Sequence, residues 1–464
     1  MKESKSQAIR FDADMLKKYD TFGPRYTSYP TAIQFSPEFN EQGYRAELAE
    51  SNLQSNPLSL YYHIPYCESL CFYCACNKII THTFDRAIPY LERLHKEIAM
   101  QAALVSDQRL VNQLHFGGGT PTFLSDEQLQ QLMLVTEQHF KMAPVDQREF
   151  SIEVDPRAVR GNTIAMLRKF GFNRVSLGVQ DFDEKVQKAV NRQQSVEQTQ
   201  TVLDAARQSG YQSINMDLIY GLPYQTVTSF NRTLDTIITM RPERLAIYSY
   251  AHLPHRVKAQ TLIKAENLPD AVTKLGLLEL TINRLQEAGY VYIGMDHFAL
   301  PDDELVRAKE KGTLQRNFQG YSTHADTDMI GMGVTSIGKV NNAYSQNERF
   351  EKGYFKAIDA GHLAVFQGYR LSDDDKLRRT VIQGLMCQGV VDFENIEKQY
   401  QIDFKSYFAE ELNRLLPLEE DDLVTLSDQQ ISVQPFGRLL LRNIAMVFDA
   451  YQQPTKEQRF SRVI

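Results

Sequence analysis

Six short apolar runs recur between residues 60 and 250: LYYHI (60–64), QLHFGG (113–118), FSIEV (150–154), RVSLGVQ (174–180), SINMDLIYG (213–221) and RLAIYSY (244–250). Each has the length of a strand, and the stretches between them carry helical periodicity. TFDRAIPYLERLHKEIAMQAALV places Ile88, Leu91, Leu94, Ile98 and Ala102 near one helix face. SDEQLQQLMLVTEQHF opens with Ser125, whose hydroxyl can cap backbone N–H groups; Asp126 and Glu127 follow, where the helix dipole favours negative charge. SVEQTQTVLDAARQSG ends at Gly210, a C-terminal cap signal. Strand then helix, repeated, predicts a parallel sheet with right-handed crossovers.

The remainder of the chain reads differently. Residues 1–50 carry no clean strand pattern and read as an N-terminal arm, with an irregular but ordered stretch GPRYTSYPT (23–31). Residues 51–290 hold the strand–helix core, closing on a helix over 271–290. Residues 291–370 read as an extension of it. Within them NFQGYSTHADTDMIGMGVTSIG (317–338) lacks a period and reads as ligand-facing loop or irregular strand. Residues 371–464 read as a C-terminal domain of mostly amphipathic helix, with a polar stretch at LEEDDLVTLSDQQ. The fold class is therefore α/β.

Active sites of such sheets lie at the C-terminal ends of the strands. The chemistry-bearing residues fall there: the cysteines after LYYHI, GGGT (117–120) after QLHF, Glu153, Gln180 and Asp217. Five on successive strands point to one site on a barrel rim. Four of the five cysteines sit in CESLCFYCAC (67–76). Cys67, Cys71 and Cys74 have the spacing C-x3-C-x2-C. Structural zinc usually draws on two separated pairs, and no second pair exists, so zinc is the weaker alternative. Three thiolates on a tight loop suit three irons of a 4Fe–4S cube. Cys76 is one residue from Cys74, which makes both hard to place on different corners. The economical reading leaves the fourth iron to an exogenous ligand. Cys387, in VIQGLMCQGVV, reads as a buried inert thiol, and His63 as a satisfied structural group.

GGGT lacks the ending of a phosphate loop and the spacing of a dinucleotide fingerprint. Beside an open iron, its exposed backbone suits the ammonium of an amino acid. Glu153 and Asp217 suit ribose hydroxyls or an ammonium, and Arg192 a carboxylate. The bland alternatives are a Glu153–Arg192 ion pair and a turn capped by Asp217. The 464 residues are 42% hydrophobic and 23% charged, ordinary for a globular chain. A net charge of −7 argues against broad nucleic-acid affinity. No window approaches the ~18 apolar residues of a membrane helix. The polar start MKESKSQAIRFDADMLKKYD excludes a signal peptide, so a cytoplasmic location is expected. There a cysteine cluster reads as metal or redox chemistry rather than disulfides. No exposed stripe demands a partner, so a monomer is expected.

Cys67-x3-Cys71-x2-Cys74 after a first strand, with GGGT after the second, resembles the radical S-adenosylmethionine (SAM) superfamily. GPRYTSYPT, YYHIPYC, CFYCACNK, FGGGTPT, SIEVDPR, LGVQDF, VNRQQ, NMDLIYGLP, YSYAHLP, NFQGY and GMGVTSIG extend the likeness along nearly the whole chain. Together they resemble the oxygen-independent coproporphyrinogen III oxidase family of haem synthesis. The resemblance implies a partial (β/α)6 barrel, a 4Fe–4S cluster on Cys67, Cys71 and Cys74, and two SAM molecules. It implies that Tyr61, Gly118, Glu153 and Ile337 line the first SAM site. Tyr73, Gly119, Thr120, Gln180, Arg192, Asp217 and Ala251 would line the second. Phe318 and Gln319 would lie near the reacting centre. The implied reaction turns two propionates of coproporphyrinogen III into vinyl groups, giving protoporphyrinogen IX, with electrons from a flavodoxin-type donor. A haem-binding or haem-inserting paralogue with the same cluster is the alternative. Arg25, in the arm, is the leading candidate for a propionate contact, its neighbours forming a lid.

Overall fold

The computed structural model describes residues 9–324 and 327–452. The first eight residues of the expected arm, Ala325 and Asp326 of the aperiodic segment, and residues 453–464 of the expected C-terminal domain lie outside the described residues. The chain forms two compact units, each discontinuous in sequence: one from 34–269 with 327–370, the other from 9–33, 270–324 and 371–452.

The first unit holds the expected parallel sheet. Strands β1 (Leu58–Ile64), β2 (Val111–Gly118), β3 (Glu149–Val154), β4 (Phe172–Gln180), β5 (Ser213–Tyr220) and β6 (Arg244–Ser249) pair in parallel in chain order. Their alternate residues Leu60, Tyr62, Ile64, Phe150, Ile152 and Val154 are buried, as a sheet covered by crossover helices requires. The helices start where capping chemistry places them. Ser125 and Gln128 form a reciprocal box before Asp126–His139, and Ser195 and Gln198 another before Val196–Gln208.

Helix Ile88–Ala102 departs in one position: Ile88 is 44% exposed, and Tyr90 is fully buried instead. A 3-10 turn, Phe84–Ala87, delays the helix start, so Ile88 stands on the first turn at the margin of the core face. The buried stripe runs through Tyr90, Leu94, Glu97, Ile98 and Gln101, and two of these are polar positions that hydrophobic periodicity cannot count.

The aperiodic segment resolves into regular structure. Strand β7 (Asp328–Met332) lies parallel to β1, and β8 (Ile337–Val340), β9 (Ala343–Asn347) and β10 (Val365–Arg370) continue antiparallel from it. A buried ion pair pins β7: Arg109 donates from Nη2 to Asp328 Oδ2 at 2.8 Å, and the Asn341 N–H donates to Oδ1 at 2.8 Å. Ser51 hydrogen-bonds the same carboxylate, so little of its acceptor capacity is left unmet.

The second unit contains helix Ala271–Glu287, hairpins Val291–Gly294/His297–Ala299 and Gln315–Asn317/Gly320–Ser322, and helix Asp373–Gln383 running into a π-helical turn at Gly384–Gln388. The C-terminal part is mostly helical, as expected, but it also carries a three-stranded antiparallel sheet of Val390–Asp392, Gln430–Val433 and Val424–Leu426. The polar stretch before Gln430 thus holds the end of helix Ala409–Glu420, the strand Val424–Leu426 and the turn into Gln430. GPRYTSYPT is tied into this unit. Arg442 Nε donates to Pro24 O at 3.1 Å, Tyr26 Oη to Asp449 Oδ2 at 2.9 Å, and the Ala450 N–H to Tyr29 Oη at 3.0 Å.

Candidate functional site

Period-two alternation puts polar residues of neighbouring strands on one face of the sheet. Ser151 and Glu153 of β3, Ser176, Gly178 and Gln180 of β4, and Asn215 and Asp217 of β5 face away from the buried apolar layer. The register sets Glu153 opposite Ser176 and Gly178 opposite Asp217. At the C-terminal ends these residues meet the cysteine loop around a cavity of about 280 Å³. Cys67, Cys71, Cys74 and Cys76 line it with Tyr73, Gly118, Gly119, Thr120, Glu153, Gln180, Arg192 and Asp217.

Backbone bonds fix the loop against the GGGT turn. The Gly119 N–H donates to Ile64 O and the Thr120 N–H to Tyr66 O, both at 2.8 Å. Gly118 has φ +114, and a Cβ there would stand 2.8 Å from the His63 ring. A Cβ on Gly119 would lie 2.8 Å from Tyr66 O and 3.0 Å from Cys67 Sγ. Only glycine allows the turn to lie on the cysteines. On the far side, the Phe72 N–H donates to Val190 O at 3.0 Å and Asn191 Nδ2 to Leu70 O at 2.8 Å.

The thiols differ. Thr120 Oγ1 donates to Cys67 Sγ at 3.4 Å, but burial pushes this thiol up to about 11. Cys74 is held below the ordinary thiol range, first by a hydrogen bond from the Cys76 thiol and also by the Lys78 ammonium, which reaches Cys74 O at 2.8 Å. Cys76 is raised by the same bond and lies at the exposed edge. Cys71 Sγ accepts from Arg157 Nη2 at 3.5 Å and Arg192 Nη1 at 3.6 Å. Among the described residues no three His, Cys, Asp or Glu converge tightly enough for a single metal ion. Three thiols spread along one cavity wall, each with a hydrogen-bond donor on its sulfur, fit a polynuclear cluster with one thiolate per corner.

The carboxylates are set apart by their partners. Glu153 leaves 47% of its side chain open to the cavity. Burial alone would raise its carboxyl; His115 Nε2 at 3.4 Å and the Gly118 N–H at 3.1 Å outweigh this and hold it below the ordinary range. Asp217 accepts from Ser176 Oγ at 3.0 Å and Asn215 Nδ2 at 2.8 Å, yet burial still raises it to about 6. Neither bland alternative holds. Arg192 pairs at 2.9 Å with Asp155, not with Glu153, and Asp217 caps no turn. His63 is satisfied by Tyr61 Oη at 3.2 Å and Asn77 O at 3.0 Å, as expected.

Other expected site residues stand outside the cavity wall. Tyr61 stacks on His115, beside Glu153, with ring centroids 5.8 Å apart. Ala251 O and Tyr73 O both accept from Gln260 Nε2, at 3.2 and 3.0 Å, so a single side chain fixes both segments. Ile337 opens β8. Phe318 and Gln319 form the turn of the Gln315–Ser322 hairpin in the second unit, where Arg25 also lies, ion-paired to Asp296. Sequence reasoning missed Asp155, Arg157, Lys78, Ser176, His115 and Tyr248. Ser176 was readable from its alternation with Gly178 and Gln180, and Lys78 lies within four residues of the Cys74 carbonyl it bonds; the part played by His115, Tyr248 and the Asp155–Arg157 pair needed long-range geometry.

The family model of the Radical SAM superfamily matches residues 61–237, and that of the HemN C-terminal domain residues 371–440. The chain is 50% identical over 456 residues to the oxygen-independent coproporphyrinogen III oxidase of Pseudomonas aeruginosa, covering 98% of this chain and 99% of that one. It is 47% identical over 459 residues to the Escherichia coli protein of the same name, covering 99% of each. A solved structure of coproporphyrinogen III oxidase (HemN) from Escherichia coli, described as a radical SAM enzyme, superposes with a TM-score of 0.92 at 45% identity. The match covers 96% of this chain and 100% of that one.

Proposed function

The chain belongs to the oxygen-independent coproporphyrinogen III oxidase family, and from that premise we propose that it oxidatively decarboxylates two propionates of coproporphyrinogen III, giving the vinyl groups of protoporphyrinogen IX. The observation that carries this reading is the gathering of Cys67, Cys71 and Cys74 on one cavity with Glu153, Arg192 and Asp217. The 4Fe–4S cluster supplies, when bound, the electron that cleaves SAM into methionine and a carbon radical able to take hydrogen from an unactivated propionate.

The chain's own residues bind, orient and exclude water. Cys67, Cys71 and Cys74 hold three irons. Gly118 and Glu153 offer a backbone turn and an ionised carboxylate for the ammonium and ribose of a first SAM, with Tyr61 and Ile337 beside them. Tyr73, Gly119, Thr120, Gln180, Arg192, Asp217 and Ala251 serve a second. Asp217, raised to about 6, remains mostly ionised at neutral pH and accepts from hydroxyls. Phe318 and Gln319 approach the reacting propionate, and Arg25 contributes charge to its binding. The reductant is a flavodoxin-type protein, and the enzyme works as a cytoplasmic monomer. No described helix is long and apolar enough to cross a membrane.

One assay tests the whole reading. The cluster is reconstituted anaerobically, and reductant, SAM and coproporphyrinogen III are added. Methionine, carbon dioxide and protoporphyrinogen are expected together. SAM cleavage without decarboxylation would sink the oxidase reading while keeping the superfamily chemistry.

A further inference from the structure

The second unit buries a positive charge that no carboxylate answers. Arg316, in the hairpin strand Gln315–Asn317, is 7% exposed, and its Nη1 has no hydrogen-bond partner. Its Nε donates to Arg25 O at 3.4 Å, and its guanidinium lies over the Tyr321 ring at 4.9 Å from the centroid. The Tyr321 hydroxyl is engaged by Met386 O at 3.0 Å. Gln383 Nε2 donates to Arg316 O at 2.9 Å, so the strand that carries the guanidinium is itself fixed. The nearby carboxylate, Asp296, is ion-paired with Arg25 rather than with Arg316. His297 adds no charge, because burial and then the Arg316 charge lower it to about 4. Its Nδ1 is bonded to Met295 O at 2.7 Å.

Two guanidiniums therefore share one carboxylate. An unanswered buried charge is costly, and it is retained where a ligand supplies the counter-charge. The planar fork of arginine matches a carboxylate in bidentate fashion. Beside it, 34% of the Arg25 side chain and 20% of that of Asp296 remain exposed, so the cluster borders solvent at the Arg25–Asp296 pair. Phe318 and Gln319 follow Arg316 by two and three residues in the hairpin turn.

We propose that Arg316, with Arg25 beside it, is an anion subsite that takes a propionate carboxylate of the substrate. This inference rests on the coproporphyrinogen reading and deepens it. It shifts the principal substrate contact from Arg25, whose charge Asp296 already answers, to Arg316.

The test uses the full, cluster-loaded chain and two fluorescent probes, coproporphyrin III and its tetramethyl ester, titrated anaerobically. Arg316→Gln is expected to weaken coproporphyrin III binding at least tenfold and leave the ester unchanged. Iron content and SAM binding should match the parent. Arg316→Lys keeps the charge but loses the fork, and is expected to fall between the two. It also covers the case in which the glutamine variant fails to fold. Parent-like affinity of Arg316→Lys and Arg316→Gln for the acid would overturn the subsite while leaving the oxidase reading intact. Equal losses for acid and ester would overturn it too, since packing rather than charge would then be at stake. A parent chain that binds neither probe would overturn the coproporphyrinogen reading itself, and the subsite with it.

Discussion

The sharpest electrostatic consequence of the site concerns Cys71. Its sulfur accepts from Arg157 at 3.5 Å and Arg192 at 3.6 Å. Asp155 holds both guanidiniums, bonded to Arg157 Nη2 at 2.7 Å and Arg192 Nη1 at 2.9 Å. Two cations and one anion leave this trio a net positive charge beside a cluster thiolate. Arg157→Gln removes a unit charge about 4 Å from the sulfur. At an effective dielectric near 20 that is worth about 4 kcal/mol. A one-electron couple moves about 59 mV for each tenfold change in its equilibrium, so the ceiling is about 170 mV. The added electron spreads over the cube, farther away than the sulfur, so a fall of about 50–100 mV is expected. Asp155→Asn changes the charge in the opposite sense and should raise the potential by a similar amount. Arg157→Lys keeps the charge and should shift it less. The assay is an EPR-monitored redox titration of the reconstituted cluster without SAM, which reads the potential independently of turnover. Shifts of the same sign in Arg157→Gln and Asp155→Asn, or none beyond about 15 mV, would refute the charge argument.

Three further outcomes are expected. Cys67→Ser, Cys71→Ser and Cys74→Ser should each lose iron and visible absorbance, while Cys76→Ser should keep both; loss of iron from the last would add it to the ligands. Asp328→Ala should cost about 3–5 kcal/mol in denaturant unfolding, because it strands the fully buried Arg109; a cost under about 1 kcal/mol would show that water reaches the pair. Lys309, bonded to Tyr292 O and Ile293 O at 3.1 and 2.7 Å, has its pKa lowered from 10.5 to about 7, first by burial and then by Arg438. A depressed base binds fewer protons folded than unfolded, so its stabilising term is complete above about 10.5 and lost as pH falls through about 7. Lys309→Met should therefore gain stability relative to the parent at pH 6 and lose that advantage by pH 10, by at most roughly 5 kcal/mol. A pH-independent difference between the two would contradict the shift.

What could be read from the chain divides by the range of the interactions. The six parallel strands were legible as short apolar runs of strand length, and the polar residues Glu153, Gln180 and Asp217 stood out in their C-terminal halves. The helix start at Ser125 was legible because its cap closes within four residues; Ser195 forms the same box and could have been read the same way. Strand β7 was not. Its five residues include Gly331, and its place beside β1 is set by Asp328 reaching Arg109, 219 positions away. The same reason hid the most consequential polar groups. Arg157 finds Cys71 across 86 positions, and Arg316 finds Arg25 across 291. No local pattern distinguishes either from a surface arginine. Even Arg25, picked out from its motif, could not be weighed without Asp296. A charge has a functional meaning only once its counter-charge is known: Arg25 is already paired, while the Nη1 of Arg316 faces no acceptor. Residue type and spacing thus identify the groups that must share a small space, such as the three thiols. Which charge is left over for a ligand is a property of the folded neighbourhood, and it separates a binding arginine from a structural one.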